Sequence, residues 1–362
     1  MYDMFLVIVT CVVTAILSLI LTPLIRKLAI KIGAVDMPGE RRINLKEVPT
    51  MGGLAIYLSF FFALFVLLPI PLWQIVPTFL GATIVLVTGI VDDLIELTPR
   101  MKMLGITIAA LVIYFAADIR IDIVTLPIIG SFSIGFLSLP FTIIWILAIT
   151  NAVNLVDGLD GLATGVSIIA LSTMGVIGYF FLTVENAVVS IMIFVLVGAL
   201  AGFLPYNFFP ARIFLGDTGA LFLGFMIAVM SLQGLKNATL ISLIIPVVIL
   251  GIPITDTIYA MLRRYLNKKP ISSADKMHLH HQLMALGLTH RQTVLAIYCL
   301  AAIFSVIALM YPISTLWGSV LLTIGLIFGL ELFVESIGLV GHNSKPLLNR
   351  LRKFAKNLNK KE

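Results

Sequence analysis

Charge is what this chain has least of. Asp, Glu, Lys and Arg make up only 12% of its 362 residues, about half of the roughly 25% a soluble domain carries. Cysteine is scarcer still: Cys11 and Cys299 are the two present, and both lie inside apolar runs, which argues against a disulfide framework or a thiolate metal site. No internal repeat suggests the inverted halves of a transporter. The first apolar run has no basic segment before it and no small-residue cleavage site, so it reads as a membrane anchor and not as a cleavable signal peptide.

What is present is apolar length. Hydrophobic residues account for 60% of the chain, and the mean hydropathy is +1.11. Most of the runs are about 18 to 24 residues, long enough to cross a bilayer as helices. They fall at about 4–25, 52–70, 74–91, 103–117, 139–155, 161–182, 186–204, 219–234, 238–261, 293–311 and 314–336. The expected fold class is therefore all-α, a polytopic integral membrane helix bundle of about eleven transmembrane helices. One transmembrane domain is expected over 1–340, with a basic tail over 341–362.

Basic residues set the expected orientation through the excess of Lys and Arg in cytoplasmic loops. With the N-terminus outside and the C-terminus cytoplasmic, 22 of the 24 basic residues fall on the inner side, leaving Arg120 and Lys236 outside. The net charge of +6 is then mostly topology and does not suggest nucleic acid. The tail KPLLNRLRKFAKNLNKKE reads equally well as a segment on anionic lipid or as a solvated tail. The segment DIRIDIVTLPIIGSFSIGFLSLP, placed outside, alternates in places and suggests a small hairpin.

The unusual polar residues sort to the inner ends of the spans. Asp92 and Asp93 close the third span in VDDLIE. Two neighbouring carboxylates repel unless a cation sits near them, and Mg²⁺ answers that need; a solvated helix end accounts for the pair equally well. In NAVNLVDGLDGLATG, Asn151, Asn154, Asp157 and Asp160 recur every three residues along one stripe until Gly158 and Gly161 loosen the backbone. Four polar groups are too many for an ordinary interhelical contact, so this strip points to function. Asp217 in FLGDTG reads by itself as a helix cap, and Phe214 beside it as packing. His278, His280 and His281 crowd into HLHHQL, in a loop that also carries Arg263 and Arg264. Without cysteine and with cations nearby, they suggest a phosphate cradle more than a transition-metal site. Asp256, inside the ninth span, is expected to orient one of those two arginines.

Acidic residues for Mg²⁺, basic residues for phosphate and a lipid-embedded floor suit an enzyme that joins a nucleotide-activated group to a lipid phosphate. Two rival classes fit less well. A transporter needs charged or broken helices near the bilayer midplane, where only Asp256 qualifies. An intramembrane aspartyl protease needs two aspartates sharing a proton and leaves the histidine loop without purpose.

VPTMGG, VDDLIE, NAVNLVDGLDGLATG, FLGDTG and HLHHQL, in this order over residues 46 to 282, resemble the bacterial polyprenyl-phosphate N-acetylhexosamine-1-phosphate transferases. The histidine motif and NFFPARIFLGDTG are most similar to the WecA/TagO branch, which transfers GlcNAc-1-phosphate from UDP-GlcNAc to undecaprenyl phosphate. The sister branch uses UDP-MurNAc-pentapeptide and is the alternative. The resemblance implies Asp217 as the principal Mg²⁺ ligand, with Mn²⁺ as a substitute ion, and Asp92 as the carboxylate that activates the lipid phosphate. Asp93 would support the metal or that phosphate, and Lys102 would contact phosphate. Asn154 and Asp157 would line the cleft beside Asn151. Gly158, Leu159, Asp160, Lys46 and Phe214 would form the uridine pocket, Phe214 by stacking. His280 and His281 match the family's histidine motif and His278 its branch-specific start; the charge of the same loop, apart from the resemblance, makes Arg263 and Arg264 candidates for holding phosphate. The resemblance also implies a bacterial plasma-membrane location, a cytoplasmic active site, contact with membrane lipid and a homodimer.

Overall fold

The computed structural model describes residues 4–37, 47–126, 130–181, 187–233, 238–268, 277–339 and 347–350. Lys46, most of the basic tail and part of the loop before the histidines lie outside them. Among the described residues, nine helices are long and apolar enough to cross a membrane. In chain order they are α1 (Met4–Ile32), α3 (Leu72–Ile95), α4 (Pro99–Ala116), α5 (Ser138–Val156), α6 (Leu162–Phe181), α7 (Ala187–Asn207), α8 (Gly216–Gln233), α12 (His290–Met310) and α13 (Leu316–Ile337).

Two of the eleven expected spans take another form. The run at 52–70 gives a short helix, α2 (Gly53–Phe62), that widens into a π turn over Ala63–Leu67. It ends because Leu68 precedes a proline and turns extended, with φ −111° and ψ 135°, as the proline ring disfavours a helical predecessor. The run at 238–261 is broken into α9 (Leu240–Ile249) and α10 (Gly251–Leu266). Pro253 has no N–H to donate across that break. A seven-residue helix, α11 (Leu279–Ala285), carries the histidine motif.

α8 is the axis of the bundle, with every residue from Thr218 to Leu232 buried. It packs on α2, α3 and α5, and glycine makes the approach close. A Cβ on Gly224 would lie 2.7 Å from Thr150 Cα, and one on Gly53 would lie 2.1 Å from Gly219 Cα. Between helices in lipid, where the hydrophobic effect gives little drive, such backbone approach is a main source of cohesion. α13 is the opposite case: Leu321, Ile324 and Ile327 are exposed, as a lipid-facing helix requires.

The small strands collect at the two ends. β1 (Val35–Asp36) pairs with β2 (Val48–Pro49). The expected hairpin forms from β3 (Ile123–Leu126) and β4 (Gly130–Ser133), and β5 (Ala238–Thr239) adds to it in parallel. The segment that follows Arg120 and β5 are thus neighbours at one end. The ends of α3, α5 and α7 and the starts of α4, α6 and α8 meet at the other.

Candidate active site

The aspartate-bearing ends enclose a cavity of about 1000 Å³, at the top of the roughly 300–1,000 Å³ range of small-molecule sites. Its centre is Lys102, in the first turn of α4. The ammonium lies 2.6 Å from Asp92 Oδ2 on α3 and 2.7 Å from Asp217 Oδ2 on α8. Asp92 is buried, and its other oxygen accepts from Leu97 N–H at 2.7 Å, closing the turn between α3 and α4. Asn154, on the last turn of α5, donates to Asp217 Oδ1 at 2.5 Å. Four helices are joined by these four side chains.

Asp93 faces the other way. Its Oδ1 accepts from Asp217 N–H at 3.0 Å, and its Oδ2 accepts from Thr218 N–H at 3.2 Å and Thr218 Oγ1 at 2.6 Å. The cap on α8 is therefore supplied by Asp93 from α3, satisfying orphan amides of the first turn. This leaves Asp217, read from sequence alone as a cap, free to present its carboxylate to Lys102. Gly216 allows the approach, since a Cβ there would lie 2.5 Å from Asp93 Oδ2 and the residue sits at φ +71°.

The VPTMGG and FLGDTG motifs are fastened to each other. Phe214 N–H donates to Pro49 O at 2.8 Å, and Gly52 and Gly53 donate to the carbonyls of Phe214 and Leu215 at 3.0 and 3.1 Å. Phe214 lines the cavity.

In the NAVNLVDGLDG strip the polar stripe divides. Asn151 turns to its own helix, donating to Leu147 O at 2.7 Å, and does not line the cavity. Asp157, Gly158, Leu159 and Asp160 do. Asp160 Oδ2 accepts from Ala211 N–H at 2.8 Å, and Asp160 N–H donates to His290 Nε2 at 3.1 Å, tying the strip to the loop before α8 and to α12. No described residue donates a hydrogen bond to the Asp157 carboxylate. Burial raises that carboxyl well above the ordinary carboxylate range, and the charges of Asp217, Asp93 and Asp160 add to the effect.

His280 and His281 line the cavity. His280 packs against the backbone of Gly158, where a Cβ would meet its Nε2 at 2.6 Å. Burial lowers the His280 imidazole to about 3, helped by His281, so it is a neutral hydrogen-bonding group at physiological pH and not a cation of the expected cradle. His278 is buried outside the cavity lining, with Nδ1 2.8 Å from Asp256 Oδ2. Asp256 thus holds the histidine segment, and the expected arginine pairing gives way to it. Arg263 is buried and donates to Leu339 O at 2.7 Å; neither it nor Arg264 lines the cavity. His290 is a cavity residue that sequence reasoning missed. Its signal was thin, a histidine at the start of an apolar run in LTHRQ.

Charge decides what the cavity can accept. Asp36, Asp92, Asp93, Glu96, Asp157, Asp160 and Asp217 line it, and Lys102 is the one Lys or Arg among the described lining residues. Anionic substrates would be repelled from such a surface without a further cation. Among the described residues no three His, Cys, Asp or Glu side chains are gathered into a ready cage. Mg²⁺ needs none, since it is commonly held by one or two carboxylates plus phosphates and water. Asp217 and Asp157, the latter with no donor among the described residues, would suit that ion.

Comparison with known proteins gives the family of the chain. Residues 75–235 match the family model described as glycosyl transferase family 4. A probable undecaprenyl-phosphate N-acetylglucosaminyl 1-phosphate transferase of Bacillus subtilis is 41% identical over 97% of each chain. A decaprenyl-phosphate N-acetylglucosaminephosphotransferase of Mycobacterium tuberculosis is 32% identical over 78% of this chain and 77% of its own. A phospho-N-acetylmuramoyl-pentapeptide-transferase of Staphylococcus epidermidis is 30% identical over 77% of this chain and 90% of its own. With the five motifs gathered at one end of a membrane bundle, the chain belongs to glycosyl transferase family 4, the polyprenyl-phosphate N-acetylhexosamine-1-phosphate transferases.

Proposed function

We propose that the protein transfers GlcNAc-1-phosphate from UDP-GlcNAc to undecaprenyl phosphate, giving undecaprenyl-diphosphate-GlcNAc and UMP. The observation that carries this reading is Lys102 held between Asp92 and Asp217 in an acidic cavity at the end of a membrane bundle. The full-length similarity to the Bacillus subtilis protein supports the donor and acceptor. The distribution of basic residues supports a cytoplasmic active site in a bacterial plasma membrane. The product would begin a cell-envelope glycopolymer such as teichoic acid, and a homodimer is the assembly the family resemblance implies.

In this reading an oxygen of the lipid phosphate attacks the β-phosphorus of UDP-GlcNAc, the bond to the UMP oxygen breaks, and UMP leaves. Lys102 meets the phosphates as they enter between Asp92 and Asp217. Asp92, fixed by Leu97 N–H, takes the proton of the lipid phosphate. Asp93 holds the first turn of α8, so that Asp217 and Asp157 flank the diphosphate. Asp217 and Asp157 would hold Mg²⁺, which would supply positive charge against the diphosphate. Phe214 and the Gly158–Asp160 backbone border the uridine, and Lys46 belongs to that pocket by its motif. Catalysis of this kind is chiefly positioning and charge neutralisation.

The test is UMP release by the purified protein with undecaprenyl phosphate and either UDP-GlcNAc or UDP-MurNAc-pentapeptide, with and without Mg²⁺. Release with UDP-GlcNAc and Mg²⁺ is expected. Turnover with only the peptide donor would move the protein to the sister activity, and release with neither would sink the reading.

A further inference from the structure

α10 carries an ionisable side chain that the proposed chemistry does not use. Asp256 is 3% exposed and does not line the cavity. A carboxylate kept at such a site is costly unless its oxygens are satisfied, and inside a membrane protein it is by default a functional residue. Both oxygens are satisfied by one neighbouring segment. Oδ2 lies 2.8 Å from His278 Nδ1, and Oδ1 accepts from Leu279 N–H at 2.9 Å.

This pair of contacts fixes α11 at its first residue. His278 is the residue before that helix and Leu279 begins it, so Asp256 takes up an orphan amide that no side chain of the segment itself satisfies. Two residues on, the His280 ring lies nearly parallel to that of His278, with centroids 6.0 Å apart and planes 2° apart. His280 in turn packs against Gly158, beside Asp157. The path from Asp256 to the cavity is continuous: carboxylate, His278 and the start of α11, His280, then the loop that bears Asp157.

We infer that Asp256 is a positioning residue for the sugar-phosphate transfer, holding His280 and His281 at the cavity wall through His278 and the first amide of α11. It touches no reacting atom, and the inference rests on the reaction proposed above for its turnover readout alone.

Two measurements on the full-length protein test it. Hydrogen exchange reads the position of the segment without turnover: Asp256→Ala is expected to raise exchange over residues 277–286, with exchange elsewhere near that of the unaltered protein. Turnover is read as UMP release in Asp256→Ala, His280→Ala and the double variant. Each single change is expected to lower kcat by about 10-fold or more, the scale of losing an outer partner that orients a site histidine. In the His280→Ala background the second change is expected to cost clearly less than it does alone, because one of the two histidines it positions is already gone. Asp256→Asn, which keeps an acceptor for Leu279 N–H, guards against misfolding and should fall between the parent and Asp256→Ala in both readouts. Unchanged exchange over 277–286, a rise spread evenly over the whole protein, or losses that multiply in the double variant would each overturn the inference. If the unaltered protein releases no UMP, the proposed reaction fails, and the exchange result still decides whether Asp256 positions the segment.

Discussion

Lys102 Nζ stands 2.7 Å from Asp217 Oδ2, a pairing across 115 residues of sequence. It joins the start of α4 to the start of α8 and holds Asp92 in the same grip at 2.6 Å. One ammonium thereby balances carboxylates from two helices in the lining of an acidic cavity.

Lys102→Met should therefore leave Asp92 and Asp217 facing each other without a counter-charge. UMP release is expected to fall by roughly 100-fold, the scale of losing one fixed electrostatic donor at a reacting phosphate. Steady-state kinetics on the variant, beside Lys102→Arg, is the check. Near-parental rates in both variants would remove Lys102 from the mechanism.

Asp217→Asn keeps the shape of the side chain and its bond from Asn154, since an amide oxygen still accepts. The variant is expected to fold with a near-parental melting temperature and to lose Mg²⁺-dependent turnover. A Mg²⁺ titration of UMP release alongside a thermal melt separates the two effects. Activity that still saturates with Mg²⁺ at parental levels would refute the metal assignment.

Gly53→Ala tests the close approach of α2 to α8. The new methyl would fall 2.1 Å from Gly219 Cα, so backbone must move, at a cost of about 1–3 kcal/mol for overpacking. A lower melting temperature and reduced yield are expected. Gly325→Ala, inside α13 with nothing within 4 Å, serves as the control and should lower neither, since Ala favours a helix interior over Gly.

His280 sets a pH dependence of stability. The folded protein holds its imidazole at about 3, against 6.5 for the ordinary group. Between those values the unfolded chain binds a proton that the folded one does not, so stability falls as pH drops below about 6.5. Melting temperatures from pH 7.5 to 5 should decline more steeply for the parent than for His280→Asn. Identical slopes would contradict the burial of a neutral imidazole.

Much of this protein is legible from its sequence because lipid is an unforgiving solvent. Apolar runs of span length can do little else than form helices in or beside a membrane, so nine long helices were readable before any coordinate. The motif residues that gather in the cavity were readable too, because carboxylates and histidines are rare in such a chain and stand out. The two runs that did not give one long helix each have a local reason. Leu68 ahead of a proline ended α2 early, and the break before Gly251 split α9 from α10, whereas hydropathy measures only how apolar a run is.

The division of labour among the polar residues was not readable. Asp92 and Asp93 are neighbours in sequence and look alike, yet one meets Lys102 and the other caps α8. Asp256 and Arg263 share a helix face at seven residues' spacing, yet the aspartate binds His278 and the arginine binds Leu339 O. Composition and spacing determined that this is a helical membrane protein with an acidic, histidine-bearing site near one end of its spans. Which carboxylate faces a cation, which satisfies an amide and which has no donor among the described residues was decided only by the tertiary structure. Those assignments depend on partners 10 to 125 residues away, and the packing of helices brings them within hydrogen-bond reach.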